Sequence, residues 1–169
     1  MPRVTASDQV GLHLSTLNKN GIAAFPTGSS RYAFPLDDLL SQIVSDRLSL
    51  AGDHLGAGDQ LIRSSLFRSS ISRHYYAMYH AARAVVFAAE RGDDYERHNL
   101  LPRHLPKQMN EVASMEADLT NARFLRNQAD YDCYPMSLQS WEDDARALAA
   151  AAAKFLNSCE NFALTNGYI

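Results

Sequence analysis

Ser69–Glu90, SSISRHYYAMYHAARAVVFAAE, decides how the rest of the chain has to be arranged. At helical spacing Ile71, Tyr75, Met78, Ala82, Val85, Val86 and Ala89 form one apolar stripe. Arg73, Tyr76, Ala77, His80, Ala84 and Phe87 form a second stripe, opposite the first and mixed aromatic, small and basic. A helix that is apolar all round is buried all round. The expectation is therefore that one side packs into the chain's own bundle and the other meets another helix, a second copy of the chain or a ligand.

Three further helical patterns surround this one. Pro35 opens the first, at the position where a missing N–H costs nothing. Leu36, Leu39, Leu40, Ile43, Val44, Leu48, Ala51, Leu55, Leu61 and Ile62 carry its stripe to Arg63. Gly52, Gly56 and Gly58 weaken it by about 1 kcal/mol each relative to alanine, so a bend or break falls near 52–58 unless another backbone comes close there. Ser64–Phe67 is a short link, which makes the next helix an antiparallel neighbour. That helix ends at Arg91-Gly92, read as a glycine C-cap. Residues 92–105 are polar and contain a proline, and read as a loop with a short helical turn at Leu100-Leu101.

The next pattern begins near Pro106. Its stripe is Val112, Met115, Leu119 and Ala122, followed on the same face by Arg126 and Asp130, and Tyr134-Pro135 stops it. Ser137 reads as the N-cap of the last helix, whose stripe is Leu138, Trp141, Ala145, Leu148, Ala152, Phe155, Cys159 and Phe162. Asn166-Gly167 ends it. With no strand patterning, the fold class is all-α, an up-down four-helix bundle over residues 36–164 with a tail at 165–169.

Residues 1–35 differ in composition. Val10, Leu14 and Leu17 have the spacing of one short helix, with Asn20-Gly21 as its C-cap. Phe25, Tyr32 and Phe34 mark the segment as an irregular N-terminal arm that docks, because disordered tails are poor in aromatics.

Composition removes several function classes. At 169 residues the chain can bury a core without disulfides, and a net charge of −3 gives no global field for nucleic acid. Cys133 and Cys159 lack CxxC spacing, and no signal peptide or membrane-span pattern is present, which points to a soluble cytoplasmic protein with reduced thiols. His74 and His80 lie about 240° apart around a helix and cannot share a metal, and no Glu-x-x-His pair occurs. Phosphate loops and a Gly-x-Ser-x-Gly elbow are also missing, so no metal or cofactor is expected.

What remains are Arg73, Tyr76 and His80 on the second stripe, and Arg123, Arg126, Asn127, Asp130 and Tyr131 near the end of the third bundle helix. Arg126 is always charged, so on a buried face it needs an acceptor, which Asp130 can supply one turn on. Two readings are open. The pair is a structural closure of the bundle, or it belongs to an Arg-lined cleft that engages a phosphate, with Asn127 and Tyr131 as hydrogen-bonding groups.

SISRHYYAMYHAARAVV at 70–86 and RFLRNQADYD at 123–132 resemble the two signature elements of HEPN-domain proteins, in the branch with S-R-x-Y-Y-A-M and R-x-x-R-x-x-A-D-Y patterns. The resemblance covers residues 36–164 and leaves out the arm. It implies a helical bundle that dimerises through a cleft near its second and third helices. It also implies a prokaryotic toxin–antitoxin or phage-defence setting beside a nucleotidyltransferase partner, and engagement of RNA or a nucleotide. Many such proteins are metal-independent ribonucleases with Arg, four to six residues, then His, the Arg stabilising the phosphorane and the His transferring protons. Here the positions after Arg126 are Tyr131, Asp132 and Cys133, and after Arg123 they are Gln128, Ala129 and Asp130. Tyrosine, with a reference pKa of about 10, is a poor base at neutral pH. His80, His98 and His104 are the histidines that the fold could bring in from elsewhere. On this reading Arg126, Asn127 and Tyr131 are the candidate catalytic residues, and Arg73, Tyr76, His80, Arg123 and Asp130 line the cleft. The alternative is a non-catalytic helical adaptor that docks a larger assembly.

Overall fold

The computed structural model describes residues 4–29 and 32–169; the side chain of Tyr32, one of the aromatics of the arm, lies outside the described residues. Helices α1 (Ala6–Leu14) and α2 (Lys19–Ala23) form the arm, followed by a two-residue antiparallel ladder, Gly28–Ser29 with Tyr32–Ala33. The bundle is α3 (Leu36–Arg63), α4 (Phe67–Glu90), α5 (Val112–Tyr131) and α6 (Glu142–Thr165). Helix α4 packs against each of the other three, whereas α5 and α6 barely touch. The helix is therefore the shared wall of the bundle.

This arrangement accounts for the apolar circumference of α4. Ile71, Tyr75, Met78, Ala82, Val85 and Val86 of its first stripe are buried, while Ala89 is exposed. Ala77, Ala84 and Phe87 of the second stripe are buried too, by helices of the same chain. Only Arg73, Tyr76 and His80 of that stripe keep access to solvent. The side expected to need an external neighbour is thus a short sector rather than a whole face.

Helix α3 runs unbroken across its glycines. A Cβ at Gly58 would sit 2.6 Å from Nε2 of His74, so this glycine admits a side chain of α4. His74 itself is fully buried and bonded at both ring nitrogens, to Ser70 Oγ at 3.2 Å and Asp59 Oδ1 at 3.1 Å. Such satisfaction is what a buried imidazole requires.

Several boundaries differ from the sequence reading. The arm has two helices because Asn18 accepts a hydrogen bond from Gly21 N at 2.8 Å and starts α2, which puts Asn20-Gly21 inside a helix instead of at a C-cap. Helix α1 opens on a capping box between Thr5 and Asp8. Arg91, not Gly92, takes the left-handed C-cap conformation (φ 52°). Gly92 serves close approach instead, because a Cβ there would lie 2.2 Å from Lys19 N. Helix α5 starts at Val112 rather than Pro106, after a left-handed Glu111, and ends at Tyr131, before Tyr134-Pro135. Arg68 of α4 donates to the carbonyls of Ala129 (2.8 Å) and Asp132, capping the negative end of α5 with a cation. Ser137 starts a short 3-10 turn, Leu138–Trp141, without a side-chain cap, and Leu138 is exposed instead of in the core stripe. Trp141 is buried and donates to Pro135 O at 3.1 Å.

The arm docks onto its own bundle. Leu14 and Ile22 enter the core, and Asp93 N donates to Leu17 O at 2.8 Å. Buried Arg47 of α3 donates to Ser15 O (2.6 Å) and Asp93 Oδ1 (3.1 Å), and Arg83 of α4 pairs with the same carboxylate. Burial brings the Arg47 guanidinium down to about 10, against the pull of Asp93, so it stays charged at neutral pH. Replacing Asp93 by alanine leaves two arginines without their counter-ion, one of them buried. A loss of about 3–5 kcal/mol is expected, read from urea denaturation against wild type.

Candidate functional site

The open sector of α4 faces the last two turns of α5. Arg126 is positioned there by three contacts. Its Nη2 donates to the Tyr76 hydroxyl at 3.0 Å, its Nη1 to Asn127 Oδ1 at 3.1 Å, and its Nε lies 2.7 Å from Asp130 Oδ2. The last is an ion pair by distance, but the Nε–H is not aimed at the oxygen and makes no hydrogen bond among the described residues. The guanidinium also lies 5.5 Å from the ring centroids of both Tyr76 and Tyr131. Asp130 is held from the other side by the Ser72 hydroxyl of α4. The ion pair anticipated from spacing is present, and Ser72 is a partner that spacing could not reveal.

Arg123 stands one turn earlier. Its Nε is buried and has no hydrogen-bond partner among the described residues, and its guanidinium lies 5.0 Å from the Phe124 ring centroid. Arg73 approaches the Tyr76 ring to 5.9 Å and is otherwise exposed. Tyr131 is 72% exposed and Asn127 is exposed as well.

Histidines complete the cluster. His54 of α3 stacks on His80 with centroids 5.2 Å apart and planes 2° from parallel, and Tyr76 lies beside both. His98, from the loop after α4, stacks on Tyr79 at 4.2 Å and exchanges a hydrogen bond with the Tyr75 hydroxyl through Nδ1. It also meets Tyr76 edge-on at 6.2 Å. His104 stacks on Tyr95 instead. Of the three histidines left open by the sequence, His98 and His80 thus reach the Tyr76 ring that Arg126 binds. His54 was not anticipated; its place on α3 beside Gly56 and Gly58 gives no spacing signal, because its partners are on another helix.

Burial sets the charge state of these rings. It lowers the pKa of His54, His74, His80 and His98, and the nearby arginines push His54, His80 and His98 in the same direction. His80 falls from its ordinary 6.5 to about 4. Burial also raises the Tyr75 phenol well above its ordinary value, so it remains a neutral hydrogen-bonding group.

A separate groove of about 550 Å³ runs between α1 and α3 and reaches His80 and Arg83. Its two arginines, Arg47 and Arg83, are already committed to Asp93. The α4–α5 cleft is the better candidate because its cations are not fully spent.

The neutral histidines imply a pH dependence of stability. A base whose folded pKa lies below its unfolded value contributes fully above the unfolded pKa, and that contribution is lost as pH falls toward the folded one. The melting temperature is expected to drop between pH 6.5 and about 4, the interval set by His80. His80→Gln should flatten that slope in a thermal scan across pH.

The comparison with known families is consistent with this geometry. The HEPN domain matches residues 44–162, more than half of the chain and including both α4 and the α5 end that carries Arg126. No curated protein is similar enough to the chain to match it. No helix among the described residues is long and apolar enough to cross a membrane. The match spans the bundle and the cleft together, and the chain belongs to the HEPN-domain family.

Proposed function

We propose that the chain is the HEPN component of a prokaryotic toxin–antitoxin or phage-defence pair, acting in the cytoplasm as a homodimer beside a nucleotidyltransferase. In this reading it engages RNA or a nucleotide through the α4–α5 cleft. The observation that carries it is the buried Nε of Arg123, without a hydrogen-bond partner among the described residues, next to an Arg126 whose own Nε–H is not aimed at Asp130. A buried donor without an acceptor costs about 1–3 kcal/mol. A phosphate oxygen is the acceptor that two adjacent guanidinium groups recognise best. Tyr131 and Phe124, both exposed beside these arginines, offer faces on which unpaired bases stack.

Each residue has a distinct role here. Arg123 and Arg126 bind phosphate, and Tyr76 and Asp130 hold Arg126 in place. Asn127 and Tyr131 sit at the mouth, and Arg73 adds positive potential across the Tyr76 ring. A non-catalytic adaptor is the second reading. It is favoured by the lack of a histidine four to six residues after either arginine.

The test is binding of single-stranded RNA by wild type, Arg123→Gln and Arg126→Ala. Loss of one charge-assisted contact is expected to weaken binding by about 1.5–3 kcal/mol, roughly tenfold to a hundredfold in Kd. Each substitution should also lower the salt dependence by about one phosphate contact. Wild-type affinity in both variants excludes the cleft as the binding site. Induced expression should arrest growth, and Arg126→Ala should relieve the arrest; an arrest that persists in the variant separates toxicity from this cleft. Light scattering at micromolar concentration should report a dimer.

A further inference from the structure

The histidines of the cluster are not equivalent. His74 is buried and bonded at both ring nitrogens. His80 is covered by His54, and His104 by Tyr95. His98 remains exposed, and its one hydrogen bond uses Nδ1. Its Nε2 has no hydrogen-bond partner among the described residues. The ring cannot tumble freely, because it lies on Tyr79 and is tied to Tyr75. Through Tyr76 it shares a neighbour with Arg126, 6.2 Å ring to ring on one side and 3.0 Å from hydroxyl to Nη2 on the other. An oriented imidazole with a second ring nitrogen free, sharing Tyr76 with an arginine whose neighbour Arg123 also has an unpaired donor among the described residues, fits general acid–base chemistry at a phosphodiester.

We propose that His98, from the loop between α4 and α5, is the proton-transfer group of this cleft and lets it cut RNA without the histidine that normally follows the arginine. This inference rests on the reading of the cleft as an RNA phosphate site. With Nδ1–H donated to the Tyr75 oxygen, Nε2 takes the proton from a ribose 2′-hydroxyl. The 2′-oxygen forms a new bond to phosphorus as the bond from phosphorus to the 5′-oxygen breaks. The leaving oxygen keeps the electron pair and takes a proton from water, and the imidazolium returns its proton to the hydroxide so formed. Nothing is oxidised or reduced. The products carry a 2′,3′-cyclic phosphate and a 5′-hydroxyl. Arg123 and Arg126 stabilise the additional negative charge at phosphorus.

The surroundings keep His98 in its basic form. Tyr75, Tyr76 and Tyr79 pack on it from α4, and the positive charges of Arg126 and Arg123 on α5 and of Arg83 on α4 act on it. Partial desolvation against the tyrosines is the largest influence, and the arginines add to it, so its pKa lies below the ordinary 6.5 and the neutral form predominates at pH 7.

The experiment uses the full chain with a short mixed-sequence single-stranded RNA and its 2′-O-methyl counterpart, which binds but has no hydroxyl to attack. Wild type is expected to bind both and to cut only the RNA, leaving cyclic-phosphate ends. His98→Ala should bind the 2′-O-methyl strand as wild type does and cut RNA about 100-fold more slowly or worse, with partial recovery when free imidazole is added. Such recovery is a readout that a merely structural role does not produce. If His98→Ala melts early, His98→Gln, which retains a donor toward Tyr75, is measured in its place. Wild type that binds the 2′-O-methyl strand but leaves the RNA intact overturns the inference and spares the binding site. Wild-type cutting by the His98 variants overturns it as well. Failure to bind either strand removes both the inference and the proposed function.

Discussion

The constraint on which the structure depends is that α4 must be covered on nearly all sides. Ile71, Ala77, Met78, Ala81, Ala82, Ala84 and Val85 have no exposed surface at all. No single partner helix can cover such a circumference, so α3, α5 and α6 each take a sector. Small residues at Ala77, Ala81, Ala82 and Ala84 let those helices come close, and the alanine-rich centre of α6 answers them at Ala145 and Ala152. Apolar burial of this kind stabilises by roughly 25 cal/mol per Å² removed from water. That term makes the central position of α4 the low-energy solution.

Because α3 and α5 scarcely meet, the bundle opens between them along one side of α4, and Arg73, Tyr76 and His80 emerge there beside His54 of α3 and Arg126 of α5. The opening is also where α5 ends. Arg68 satisfies the last carbonyls of α5 from below while its guanidinium lies 4.8 Å from the Trp141 ring centroid. Helix α5 is thereby stopped with Arg123, Arg126 and Asp130 presented to Tyr76 and Ser72. Positive charge that is partly desolvated and only partly compensated is costly in isolation. It persists because Tyr76 and Asp130 hold Arg126, and Ser72 in turn holds Asp130.

The arm reinforces the same framework through the loop that follows α4. Asp93 lies in the loop that begins after α4, five residues before His98, and is clamped by Arg47 and Arg83. The start of that loop also accepts α2, through Asp94 Oδ2 at 2.8 Å from Lys19 N. The loop carrying His98 is therefore anchored at its beginning by the arm and along its length by Tyr75 and Tyr79. The arm's contribution to the site is positional.

The sequence by itself determined the four long helices, the stripes they bury and the Arg126–Asp130 pair, because each depends on the 3.6-residue period and on neighbours within one turn. It also placed Arg73, Tyr76 and His80 on the one sector of α4 that stays open. It could not set the start of α5, which depends on the left-handed Glu111, or its end, which depends on Arg68, 61 residues from Ala129 in the chain. The split of the arm into two helices followed from a local side-chain bond at Asn18 that competes with the apolar spacing of Leu14 and Leu17. The tertiary structure alone decided that His54 stacks on His80, that Ser72 holds Asp130, and that His98 reaches the Tyr76 ring that Arg126 also contacts. These contacts join residues on different elements, and the packing of those elements, which carries no periodic trace in the sequence, is what brings them together.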